Sequence, residues 1–222
     1  MFKHFVPVLI WAGWFGNISA PAAEPTTRPS VIVDLTSPRA AVRTLAKAAE
    51  AMDDRAILAA FYAANDADRE LANVYASLIV STKKLGEAVQ NQFGGTANRL
   101  GAGIFNPAEL AHLDQAELKE DGDNAILKPM GQSRALRFHR TGERWQLVIR
   151  DFANADQNLA KQVSLLKQVG GVFDDMAKKI EAGQYEKSKD AEAAIQTKLA
   201  VVMIRAATPA TTRATSKPTT AP

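Results

Sequence analysis

Arg134-Ala135-Leu136-Arg137-Phe138-His139-Arg140-Thr141-Gly142-Glu143-Arg144-Trp145-Gln146-Leu147-Val148-Ile149-Arg150-Asp151-Phe152 is the stretch on which the fold turns. Two runs in it alternate apolar and polar residues, the period of a half-buried strand. Thr141-Gly142-Glu143 between them is turn chemistry, so the runs read as an antiparallel hairpin. With the turn centred on Thr141-Gly142, Phe138 opposes Trp145 and Leu136 opposes Leu147, with Ile149 on the same face. By alternation that face belongs to the core. The other face gathers Arg137, His139, Arg144, Gln146 and, further along, Arg150.

Working upstream, the strand period extends to four segments: residues 114–120, 124–130, 134–140 and 144–152. Asp121-Gly122-Asp123 and Gly131-Gln132 supply the other turns, and connections this short imply an antiparallel meander. Before the meander the period is helical. Ser37 can cap a helix with Pro38 in its first position, and Val42, Leu45, Ala49 and Met52 form its stripe. Asp53-Asp54 starts a second helix carrying Ile57, Leu58, Phe61 and Tyr62. A third, over residues 68–93, is the longest, with Leu71, Val74, Leu78, Leu85 and Val89 near one seam and Gly94-Gly95 as its stop. A Gly-rich loop follows, with a short helix start at Asn106-Pro107.

Downstream, Leu159, Val163, Leu166, Gly170, Phe173, Met176 and Ile180 make a second long stripe, capped near Asn154 or Asp156 and stopped at Gly183. Gly170-Gly171 within it marks a kink or a close helix approach. A last helix spans residues 189–206. The expected class is α+β: N-terminal helices including one long helix, a four-stranded antiparallel meander, then two C-terminal helices.

The ends carry a different message. Lys3 and His4 precede an 11-residue apolar run, residues 5–15, and a small-x-small exit at Ala20-Pro21-Ala22. This is the pattern of a cleavable secretory signal, cut after Ala22. A spanning helix needs about 20 apolar residues, so no transmembrane segment is expected in the mature chain. Without cysteine there is neither a lipobox nor a disulfide, so the protein is expected in the periplasm or outside the cell and not as a lipoprotein. Residues 23–36 read as a flexible linker and residues 37–206 as a single domain. Residues 207–222 contain six Thr, three Pro and no Leu, Ile, Val or aromatic residue, and read as a disordered tail.

Net charge narrows the partners. Taking Lys3, Arg28, Arg213 and Lys217 from the 27 basic residues leaves 23 in the domain. Taking Glu24 and Asp34 from the 24 acidic ones leaves 22. A domain this close to neutral gives no electrostatic case for nucleic acid.

Motifs that carry chemistry are incomplete. Ser81-Thr82-Lys83-Lys84 matches S-x-x-K, and Arg140-Thr141-Gly142 echoes K-T-G, but no S-D-N-like element stands between them. The first reads as the wet side of the long helix. His4, His112 and His139 form no zinc-ligand spacing. Asp114, Glu117, Glu120, Asp121 and Asp123 lack the EF-hand order. The Gly94-Gly95…Gly101-x-Gly103 loop lacks G-K-[ST]. No catalytic set, metal or cofactor is expected.

Two stretches, Ser37-Pro38…Ala40-Ala41-Val42 into Met52-Asp53-Asp54 and His139-Arg140-Thr141-Gly142-Glu143-Arg144-Trp145-Gln146-Leu147, resemble pieces of NTF2-like domains. The resemblance spans residues 37–152 and implies early helices packed on a curved sheet with a Gly-x-x-Trp hairpin. The third helix is longer than that fold usually has, and two helices follow the sheet. Since that fold hosts enzymes and binding modules alike, no active-site residue carries over.

The functional expectation is an exported, non-enzymatic binding or interaction module in the cell envelope. Its ligand would be a small anion or an acidic polymer held at Arg137, His139, Arg144, Gln146 and Arg150 by forked, charged contacts. Two alternatives differ in what they require. An NTF2-like enzyme needs a closed pocket lined by His139 or an acid. A structural envelope protein pairing through long helices needs an uncovered apolar stripe on residues 71–93 or 159–180.

Overall fold

The computed structural model describes residues 30–94, 112–128, 135–153 and 158–207. The signal segment with Ala20 and Ala22, residues 23–29, the Asn106-Pro107 helix start, Gly131-Gln132, Asn154, Asp156 and residues 208–222 lie outside them. Local chemistry sets the helix starts. The Ser37 side chain accepts from the Ala40 N–H at 3.1 Å, and Pro38 opens α1, Pro38–Ala51. Asp53 caps α2, Asp54–Ala59; Phe61–Tyr62 forms β1; Asn65 caps the 28-residue α3, Asp66–Phe93. A 3-10 turn at Leu113–Gln115 leads to β2 (Glu117–Asp121), β3 (Asn124–Lys128), β4 (Leu136–Thr141) and β5 (Arg144–Val148). A second 3-10 turn, Ile149–Phe152, precedes α4 (Leu159–Glu181, capped by Asn158) and α5 (Ser188–Ala207).

The class is α+β, with the meander in place, but the sheet has a fifth strand. Its order is β1-β5-β4-β3-β2, with β1 parallel to β5 and all other pairs antiparallel. Phe61 and Tyr62, expected in the second helix, leave it at Ala59 and pair with Leu147 and Val148. The β4–β5 register differs by two residues from that expected: Phe138 faces Leu147 and Arg140 faces Trp145. The reason is the turn, which is Gly142-Glu143 with Gly142 at φ +61°, the first-position glycine of a type II′ hairpin. A slip of two leaves every side chain on its expected face. Phe138, Trp145, Leu147 and Ile149 are all buried.

Two apolar clusters meet along α3. Its first half joins α1, α2 and the inner sheet face around Leu45, Ile57, Leu71, Phe138 and Leu147. Its second half, with Leu85 and Val89, packs on Phe173, Met176 and Ile180 of α4, which in turn hold Ala191, Ile195 and Val202 of α5. Both expected helix stripes are therefore covered from within. Gly170 marks a close approach: a Cβ there would stand 3.9 Å from Ser81 Oγ and 4.0 Å from Leu78 Cδ1. Ser81 is consequently buried, not on the wet side of the helix, while Lys83 of the same motif pairs with Glu50.

The expected linker is bound into the domain from Val31 onward. The Val31 N–H donates to Asp53 Oδ2 at 3.0 Å, and the Asp34 N–H donates to Thr44 Oγ1, whose hydroxyl donates back to Asp34 O. Leu35 is buried, and its carbonyl accepts from the Trp145 N–H at 2.7 Å, covering part of the β5 edge. The domain therefore begins about six residues earlier than Ser37. Asp53 is the hinge pin of this arrangement, since it also accepts from the Ala56 N–H at 3.0 Å. The Val31 and Ala56 N–H groups hold its carboxyl below the usual carboxylate range. Asp53→Ala is expected to cost about 1–2 kcal/mol near neutrality. A depressed folded pKa stabilises above the ordinary value near ~3.9, and that stabilisation is lost as pH falls through the folded value. Urea titrations at pH about 6 and about 3 should thus show the gap between wild type and variant shrinking in acid.

Candidate functional site

The outer face of the sheet is where the five expected residues can be judged. Outer-face residues are exposed or half-buried, and Ile126, midway along β3, is 45% exposed. Arg137 and His139 stand on this face two residues apart on β4, and His139 is the cross-strand partner of Gln146. Arg137 donates through Nε and Nη2 to Asp151, whose side chain is only 10% exposed against 61% for Arg137. Asp151 thereby holds the guanidinium above its already high value and fixes its plane, with Nη1 outside that fork. The His139 ring lies 4.2 Å from the Tyr62 ring, centre to centre, and its Nδ1 is 3.3 Å from Asn124 Oδ1.

The other three residues are drawn elsewhere. Gln146 Nε2 donates to the carbonyls of Ala59 and Phe61 at 2.9 and 3.1 Å, locking the end of α2 and β1 against β5. Arg150 sits in the 3-10 turn and donates to Asp68, a carboxylate 4% exposed at the start of α3. Arg144 faces Thr141, four residues along β4 from Arg137, about 13 Å at strand rise. There it lines an open groove of about 440 Å³ with Val33, Asp34, Leu35, Thr36 and Glu143. No ion pair or hydrogen bond of its own positions the Arg144 side chain among the described residues, unlike that of Arg137. Arg137 and His139 are therefore brought together; Gln146 and Arg150 serve the fold, and Arg144 stands apart.

Sequence reasoning missed Tyr62 and Asp151. Tyr62 continues the helical pattern of residues 57–62, and a two-residue strand shows no period of its own. Asp151 was expected on a strand through Phe152; the turn after Val148 instead swings it beneath Arg137. Among the described residues no group of three or more His, Asp or Glu could hold a metal ion, and no helix is long and apolar enough to cross a membrane. The chain matches no protein-family model, no curated protein and no solved structure.

Proposed function

We propose that the protein is an exported, non-enzymatic binding module that takes an anionic ligand on the outer face of its sheet. The carrying observation is the Arg137–Asp151 fork: a positioned guanidinium beside the Tyr62–His139 ring pair on an open face. A side chain already held by a carboxylate loses less freedom when it meets a ligand, so the site is preorganised. Among the described residues no wall encloses this face, which favours binding over chemistry that must exclude water. Arg137 and His139 lead the contact, with Tyr62 and Asn124 as their supports.

Titration with a panel of carboxylate, phosphate and sulfate ligands, followed by calorimetry, tests this reading. At least one class should bind, and Arg137→Gln should weaken it by about tenfold. Arg144→Gln should leave it within about twofold. Equal binding by wild type and Arg137→Gln would remove the site. Export is checked by sequencing the protein recovered outside the cytoplasm: Ala23 is the expected first residue, and an intact Met1 would contradict it.

A further inference from the structure

The register aligns a row of side chains across the strands. Lys119 on β2 pairs with Ile126 on β3, and Ile126 pairs with Arg137 on β4. The same register carries the row through Val148 on β5 to Tyr62 on β1. The order across the sheet is thus cation, apolar, cation, apolar, aromatic. Two strand spacings separate the cations, about 10 Å, with exposed Ile126 between them. Lys119 touches Glu117 at 3.1 Å, but both are largely exposed, so that pair is weak and open to exchange.

We infer that this row binds an acidic polysaccharide laid across the strands, an inference that rests on the anion-binding reading of the same face. Charge spacing and shape both argue for a polymer. A small anion on an open face buries little of its surface, whereas a small-ligand site encloses most of its ligand. A chain with carboxylates about 10 Å apart meets Lys119 and Arg137 together, and the second contact is then intramolecular. The apolar C–H faces of its sugar rings pack on Ile126, Val148 and Tyr62, while ring hydroxyls meet the phenol and His139. An acidic peptide fits less well. It can match the two cations but brings no sugar-ring faces to lie on Ile126, Val148 and Tyr62.

The experiment uses the full chain and four probes in calorimetric titration: a uronic-acid oligomer of about eight residues, the uronate monomer, a neutral hexose oligomer, and polyglutamate of similar length. The acidic oligomer should bind at least about tenfold tighter than each of the others, and more weakly as salt rises. Lys119→Gln and Arg137→Lys should each weaken it by about five- to tenfold, with circular dichroism unchanged. Polyglutamate binding as tightly as the oligomer, or a monomer matching the oligomer, overturns the polysaccharide while leaving an anion site standing. Lys119→Gln without effect overturns the row. Absence of binding by every anion overturns the row and the anion site together.

Discussion

Phe138→Ala is expected to destabilise the protein by about 3–5 kcal/mol, read as a shift of the urea midpoint at unchanged slope. Phe138 is 1% exposed, pairs with Ala125 on one side and Leu147 on the other, and belongs to the apolar cluster that the inner sheet face shares with α1, α2 and α3. Ala125 is too small to fill the space a lost ring would leave, so the cavity cannot collapse cheaply. Ile126→Ala, one residue along but on the outer face, should change stability by about 0.5 kcal/mol or less. A loss below about 1 kcal/mol for Phe138→Ala would mean that the sheet does not pack as described.

Arg150→Ala is the second large effect, and it separates fold from function. Asp68 is buried at the start of α3, and its carboxylate accepts from Arg150 and, at 3.3 Å, from the Ala64 N–H. Removing one member of a buried pair leaves a desolvated charge, worth about 3–5 kcal/mol when both are buried. The Arg150 side chain is 46% exposed, so water can reach the vacated side, and about 1–3 kcal/mol is expected here. The double variant Asp68→Asn/Arg150→Gln should recover part of that loss, because no charge is then stranded. Anion affinity measured on the folded fraction should stay within about twofold for Arg150→Ala. A stable Arg150→Ala with abolished binding would reassign Arg150 from the fold to the ligand.

How far the sequence could be read depends on element length. The hairpin, the meander and the four longer helices run for several periods, so their faces were legible, and Phe138, Trp145, Leu147 and Ile149 fell on the side expected. The two-residue strand at Phe61–Tyr62 had no period to show. The hairpin register did carry a signal: a glycine in first position marks a type II′ turn, which places Thr141 opposite Arg144. Ser81 also carried one, lying three residues after Leu78 and four before Leu85 on the buried seam, although its neighbours are polar. The segment from Val31 carried none. It is held by Asp53 and Thr44, side chains 10 to 22 positions away whose bonds have no local pattern. In the site, alternation placed Arg137 and His139 on one face. Their supports were hidden, because Asp151 reaches Arg137 only after the chain leaves the strand, and Tyr62 reaches His139 across a parallel pairing.

The central claim is that the outer sheet face is the binding surface, and nuclear magnetic resonance shift mapping of the full chain tests it most directly. On addition of the uronic-acid oligomer, the predicted perturbations concentrate on Lys119, Ile126, Arg137, His139 and Tyr62, with α5 and the groove at Val33–Thr36 unchanged. Perturbations confined to that groove or to α5, or no perturbation at millimolar ligand, would contradict it.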